Sequence, residues 1–300
     1  VVRILSGKGS LYRKEVSVLS QFDYVKPLVL NEALAALAKE DNSYVLAGGT
    51  DLLIMLRHNL INARHIIDIK GIPELNELRF VENEGLTIGA NVVVNALVDS
   101  ELVKNKYKAL HDAASCLASF QLRNRATLVG NICNASPGAD LPPALLVYDA
   151  VVKIASVDGV REIPLVEFFT GVKKTVLTKN ELVLSVFLPD PGENDTSCYL
   201  RQTRLKGHDL STVGVACRLD GKGKVAVAIG AVAPTPLRLT ALEAEINEKG
   251  ISEETILWAA DAINEHIKPI SDVRSSEAYR RHMASILMKR CLVTLTGKEV

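Results

Sequence analysis

The sequence predicts an α+β chain in two domains, and three observations predict it. An apolar run passes through two glycines into a helical pattern at Tyr44 to Leu53. Strand-like and helical stretches then continue to a polar, glycine- and proline-containing linker at 190–195. Beyond the linker, successive strands are followed by successive helices, the order of an antiparallel sheet with helices on one face. With 300 residues, 48% of them hydrophobic, the chain is long enough for two cores. The reading is an N-terminal extension over 1–21, a first domain over 22–190 and a smaller α+β second domain over 196–300.

The extension carries basic and polar residues with little periodicity and reads as a segment that docks on a partner. Phe22 to Pro27 reads as a short strand closed by proline, which has no N–H to give a ladder. Leu30 to Lys39 has helical spacing, with Asn31 as candidate cap. Tyr44-Val45-Leu46 is a strand leading through Ala47 to Gly48-Gly49, residues that tolerate positive φ and carry no side chain to obstruct a ligand. Thr50 or Asp51 then caps a helix through Leu52 and Leu53 to Leu56, whose free amides face the turn. Strand, glycine turn and helix start together suit a phosphate or pyrophosphate, though the same residues also suit an ordinary turn, and the third glycine of GxGxxG is missing.

Ala63 to Ile69 alternates as a strand, and its lone His65 reads as structural or solvated, with no acidic partner in reach by sequence. Leu86 to Ala90 is a further strand, and 95–99 and 107–119 are helical, the second rich in alanine. Gln121 to Arg125 brings two arginines that can hold the loop through ion pairs or lock a phosphate. A second glycine turn follows at Thr127-Leu128-Val129-Gly130-Asn131, where the Asn131 amide offers both a donor and an acceptor. Asp140 precedes Leu141 to Leu146 as a helix cap, and a carboxylate there also suits sugar hydroxyls. Two glycine turns so far apart can wrap one cofactor.

Ala150 to Leu165 reads as a hairpin around Val157 to Val160, Phe168 to Leu177 as a loop, and Leu182 to Pro189 as an apolar strand. In the second domain, 197–200, 212–219 and 224–233 are strands, and 239–249, 252–267 and 276–289 are helices. The last helix carries Arg280, Arg281, Lys289 and Arg290, which read as a solvated face.

Composition narrows the function. Lys+Arg and Asp+Glu are 35 each, so no net field attracts nucleic acid or an anionic membrane surface. No apolar run approaches the roughly 18 residues of a membrane span, and the start lacks a secretory core, so the expected location is the cytoplasm. The five cysteines are scattered without a CxxC pair, and no HxxxH stands beside a glutamate, which argues against a disulfide framework and against a metal or cluster held by this chain.

With both turns in view, the chain resembles the FAD-binding medium subunit of the molybdenum-containing hydroxylases, the group of xanthine dehydrogenase and aerobic carbon monoxide dehydrogenase. Ala47-Gly48-Gly49-Thr50-Asp51-Leu52 resembles the first FAD motif, and Thr127 to Asn131 with Asp140 resembles the second. Ile88-Gly89-Ala90, Gln121 to Asn124, Ala233 to Pro236 and Tyr279 to Met283 continue the likeness in order, from Phe22 to Leu295. The sequence departs from the family pattern at Val129, where the family has glycine, and at Phe120, where it has proline.

The resemblance implies a two-subdomain FAD-binding domain of the vanillyl-alcohol-oxidase-like type, followed by the smaller C-terminal domain. Residues Leu46 to Leu53 would cradle the pyrophosphate, Thr127 to Asn131 would line the cofactor from the other side, and Asp140 would take a sugar or ribityl hydroxyl. Leu117 and Leu177 would contact the flavin ring, with Arg201 close to the isoalloxazine and Tyr199 covering it. A molybdenum-pterin cofactor on a large subunit and [2Fe-2S] clusters on a small subunit would supply electrons, passed on to NAD+ or another acceptor. No catalytic acid, base or nucleophile is expected in this chain, because the flavin itself carries the electrons. Two other functions suit the same fold: an FAD-free assembly subunit, and a free-standing FAD oxidase.

Overall fold

The computed structural model describes residues 21–205 and 207–298, so the extension, apart from its last residue, lies outside the described residues. Three short parallel strands come first: β1 (Asp23–Val25), β2 (Ser43–Leu46) and β3 (His65–Asp68), in the order β1-β3-β2. Parallel neighbours need a crossover, and α1 (Leu30–Lys39) and α2 (Leu52–Arg57) supply it. Leu52 and Leu56 of α2 pack with Ile66 of β3, while Ala33, Leu34 and Leu37 of α1 point into the main core. The expected cap Asn31 is displaced: α1 begins at Leu30, extended Val29 holds the cap position, and no side chain caps the start. His65 has two acidic neighbours that sequence separation hid, its ring nitrogens lying 3.7 Å from Asp23 and 3.6 Å from Glu40.

A five-stranded antiparallel sheet follows, built from β4 (Leu78–Val81), β5 (Gly85–Gly89), β6 (Val151–Ser156), β7 (Gly159–Pro164) and β10 (Leu182–Pro189) in the order β4-β5-β10-β6-β7. Between β5 and β6 run six short helices: α3 (Val94–Val98), α4 (Glu101–Lys106), α5 (Lys108–Cys116), α6 (Phe120–Arg123), α7 (Leu128–Cys133) and α8 (Leu141–Leu146). The stretch expected as a loop after α9 (Leu165–Phe168) holds a small hairpin, β8 (Phe169–Gly171) with β9 (Lys174–Thr175). Its tip residue Lys173 has φ 58°, a conformation that propensity alone does not signal in a lysine.

The final sheet is antiparallel, β11 (Thr196–Gln202), β12 (Val213–Leu219), β13 (Val225–Gly230) and β14 (Leu237–Arg238) in sequential order. Alternate residues of its strands enter different cores. Cys198, Val215, Cys217, Val225, Val227 and Ile229 join the C-terminal cluster, whereas Tyr199, Ala216, Ala226 and Ala228 join the main one. The chain's last three helices, α10 (Thr240–Lys249), α11 (Glu253–Ala262) and α12 (Glu277–Thr296), build the C-terminal cluster. The opposite face packs against α5 and α8 of the first half. Burial on both faces explains why β13 is apolar at every position. No helix among the described residues is long and apolar enough to cross a membrane.

Helix α12 runs to Thr296, beyond the expected end, and stops at Gly297, whose φ of 65° closes it with an N–H bond to the Val293 carbonyl. The solvated face expected on it is corrected at Arg280, which is 3% exposed. Its guanidinium donates to the carbonyls of Thr212 and Ala231 and to Asp272, each at 2.8 Å. Arg280→Met is expected to cost about 3 kcal/mol in urea unfolding, since it strands three buried or half-buried acceptors. Arg290→Met, on the exposed face of the same helix, is expected to stay within about 0.5 kcal/mol.

Candidate functional site

The first turn leaves the carboxyl end of β2. A methyl group on Gly48 would overlap the carbonyl oxygen of Arg125, so glycine is what lets this turn touch the segment entering α7. Gly49 has φ 76°, and a methyl there would come within 2.8 Å of Leu46 Cδ1. Asp51 holds the cap position of α2 without capping it, because its Oδ1 accepts instead from Asn134 Nδ2 at 2.9 Å. Leu52 anchors the helix in the small cluster around Ile66, and Leu53 is exposed. Thus the glycine turn and α2 are joined to the second stretch at both Gly48 and Asp51.

The second stretch differs from its expected form. No residue from Thr127 to Asn131 has positive φ, so it is a capped helix start and not a glycine turn. Thr127 is extended and buried, and its Oγ1 accepts from Gly130 N at 2.9 Å. Val129 lies inside α7 and is buried, so its β-branch meets no left-handed backbone. Among the described residues, and apart from α7's own backbone and the chain neighbours, a methyl on Gly130 would meet within 4 Å only the Thr127 hydroxyl, at 2.7 Å. Leu128 is buried beneath. Asn131 is half-buried, and its Oδ1, itself enclosed, has no hydrogen-bond partner among the described residues. An enclosed amide oxygen beside a side-chain-free surface suits a polar ligand.

A third group forms where α8 meets the last sheet. Its packing on β12 and β13 brings Asp140, at the start of α8, to β11, whose residues 199 and 201 share one face. Asp140 is buried, with Oδ1 accepting from the hydroxyls of Tyr199 at 2.8 Å and Ser211 at 2.5 Å. Its Oδ2 accepts from Arg201 at 2.9 Å. The expected cap role is therefore corrected, since the carboxylate makes no bond to its own helix. Burial pushes the Asp140 carboxyl up, opposed by the Arg201 guanidinium and both hydroxyls. Burial and the neighbouring carboxylate also push the Tyr199 phenol well above its usual range, so it stays a donor. Gly214 makes room for that ring, as a methyl there would overlap the Tyr199 hydroxyl. Ser211 gave no signal in sequence, standing 71 positions from the carboxylate it binds.

Leu117 is buried in the main core and Leu177 packs half-buried on it. The backbone beside Leu117 is held by Arg123, which donates to the Leu117 carbonyl at 2.9 Å and to Asn95 Oδ1 at 2.8 Å. Arg123 thus serves the loop, through an amide and carbonyls and not through carboxylates. The next residue, Ala118, has φ 47°, a strained conformation for alanine. The Cys116 thiol is pushed up to about 12 by burial and by Asp140, which leaves it un-ionised at neutral pH. Among the described residues no group of three or more His, Cys, Asp or Glu side chains is placed to hold a metal ion.

The donor set fits a dinucleotide: a glycine turn and helix start for phosphates, an unpaired enclosed amide for a polar edge, and a carboxylate and guanidinium beyond. Residues 20–191 match the family described as the FAD binding domain in molybdopterin dehydrogenase, and residues 198–295 match the CO dehydrogenase flavoprotein C-terminal domain. The chain is 33% identical over 274 residues to the xanthine dehydrogenase FAD-binding subunit of Escherichia coli O157:H7, covering 90% of this chain and 94% of that one. It is 32% identical over 277 residues to the carbon monoxide dehydrogenase medium chain of Hydrogenophaga pseudoflava, covering 91% and 96%. The solved carbon monoxide dehydrogenase from Hydrogenophaga pseudoflava that lacks the Mo-pyranopterin moiety of the molybdenum cofactor matches with a TM-score of 0.86 at 33% identity, over 92% of this chain and 97% of that one. Quinoline 2-oxidoreductase from Pseudomonas putida 86 matches with a TM-score of 0.86 at 27% identity, over 93% and 99%. The chain, with an FAD-binding domain and the matching C-terminal domain, belongs to the family of FAD-binding subunits of molybdenum-containing dehydrogenases, a family of oxidoreductases.

Proposed function

We propose that one FAD lies across the two stretches joined at Gly48 and Asp51, and that this subunit relays electrons between partner subunits and an acceptor. The observation that carries the reading is the double contact itself, Gly48 against Arg125 and Asp51 to Asn134, which makes one surface of two segments about 80 positions apart. Leu46 to Leu53 bind the pyrophosphate through turn and helix-start amides. Thr127 to Asn131 line the cofactor from the other side, with Asn131 Oδ1 as acceptor and Gly130 leaving space. Asp140 retains a lone pair on Oδ2 for a ribityl or sugar hydroxyl. Leu117 and Leu177 exclude water from the ring, and Arg201 sets a positive charge close to it. When bound, the flavin supplies the electron transfer, and these residues bind, orient and tune it.

The same reading places a first domain over 22–190 and a second over 196–300, with Tyr199, Arg201 and Ser211 of the second fixing Asp140 of the first. It assigns hydroxylation to a molybdenum-cofactor large subunit, delivery of electrons to an iron–sulfur small subunit, and their final removal to NAD+ or another acceptor. The names of the matched relatives, dehydrogenases and a molybdenum-cofactor enzyme among them, support this division of labour. The visible absorption of the purified chain tests it. Once unbound FAD is removed by gel filtration, flavin bands are expected in the native protein, as purified or after incubation with FAD, and are expected to be lost in Gly49→Trp, whose indole fills the turn. A native chain that elutes colourless after incubation with FAD contradicts the reading.

A further inference from the structure

The turn after β3 leaves the parallel sheet at the same edge as the glycine turn, because Leu46 and Asp68 are register partners at the carboxyl ends of their strands. That edge is where open α/β sheets receive ligands. Asp68 is 3% exposed, and it accepts from the backbone N–H of Lys70 at 3.0 Å and from the Tyr24 hydroxyl. The Lys70 ammonium lies 2.7 Å from the same carboxylate and donates to the carbonyl of Ala47 at 3.2 Å. Burial works against ionisation of Asp68, yet the Lys70 and Tyr24 hydrogen bonds hold its carboxyl below the usual range. A buried carboxylate thus orients a flexible lysine in advance, with the side chain still one-third exposed, at 33%. Among the described residues its third N–H has no protein acceptor.

Ala47 is the residue that enters Gly48-Gly49. A bare carbonyl oxygen at this turn would repel an anion, and the ammonium covers it with positive charge. We propose that Lys70 is a phosphate-binding residue of the cofactor site, fixed by Asp68, which holds the Ala47 peptide in place and directs its remaining N–H to the cofactor's phosphates. The inference rests on FAD binding at the glycine turn and assigns that turn a cation from another strand. Phosphate affinity then depends on a charge that the glycine motif does not contain.

The test is titration of FAD into the full chain, followed by flavin fluorescence at several salt concentrations, for wild type, Lys70→Met and Lys70→Arg. Lys70→Met is expected to bind about tenfold more weakly at low salt, with the gap to wild type narrowing as salt screens the lost charge. Lys70→Arg is expected to recover most of the affinity and the salt dependence, which a mere packing role would not require. Thermal melts of the FAD-free proteins separate a folding defect from a binding one. Loss of affinity in Lys70→Met that follows its loss of FAD-free stability and ignores salt overturns the proposal, as does wild-type affinity. A wild-type chain that takes up no FAD overturns the glycine-turn reading itself, and this inference with it.

Discussion

Gly48→Ala is expected to abolish stable FAD retention, lowering affinity at least about tenfold, and to cost about 2–3 kcal/mol of stability. The new methyl group would overlap the Arg125 carbonyl oxygen, a backbone atom that no side-chain rotation can withdraw. The first turn must therefore separate from the segment entering α7, and the surface shared by the two stretches opens. Flavin absorbance after gel filtration, with circular dichroism to confirm the folded core, checks the result. Gly130→Ala is the informative contrast, since its methyl would press on a side-chain hydroxyl, that of Thr127 at 2.7 Å, and not on the backbone of another segment. It is expected to weaken FAD binding while costing only about 1 kcal/mol of FAD-free stability, the worth of the disturbed Thr127 cap.

Asp140→Ala is expected to cost about 3–5 kcal/mol in urea unfolding, the largest stability change among these variants. The substitution leaves Arg201, whose side chain is 11% exposed, without its carboxylate and strips the Tyr199 and Ser211 hydroxyls of their acceptor. Because these three partners lie on or beside the last sheet while Asp140 opens α8, the damage falls on the contact between the two halves of the chain. Tyr199→Phe removes one donor and keeps the ring, and is expected to cost about 1 kcal/mol. A loss in Asp140→Ala no larger than in Tyr199→Phe would show that the Arg201 pair contributes nothing to joining them.

Much of this was legible in the chain because local rules and the fold agree. The apolar run, the paired glycines and the following helix at Tyr44 to Leu56 each follow a short-range rule, and β2, the turn and α2 form where those rules put them. Tyr199 and Arg201 stand two apart, but the strand expected over 197–200 stopped short of Arg201, and it is the extension of β11 to Gln202 that puts both on one face. Thr127 to Asn131 was harder: glycine suggested a turn, but threonine three residues ahead of Gly130 is a cap signal, and the cap prevailed. Asp140 misled in the same way, its local capping role losing to partners on β11 and at Ser211. Arg280 looked like its charged neighbours, because the carbonyls of Thr212, just before β12, and Ala231, just after β13, come together at its guanidinium only in the folded chain. Lys70 belongs to no motif, and only sheet register brings it to Ala47.

Backbone hydrogen exchange across the full chain, measured as FAD is titrated in, tests most directly whether one cofactor spans both stretches. Amides in 48–53 and in 128–133 are expected to slow together, with a single saturation curve and one FAD per chain. Slowing confined to one of the two segments, or two curves with separate midpoints, would contradict the account.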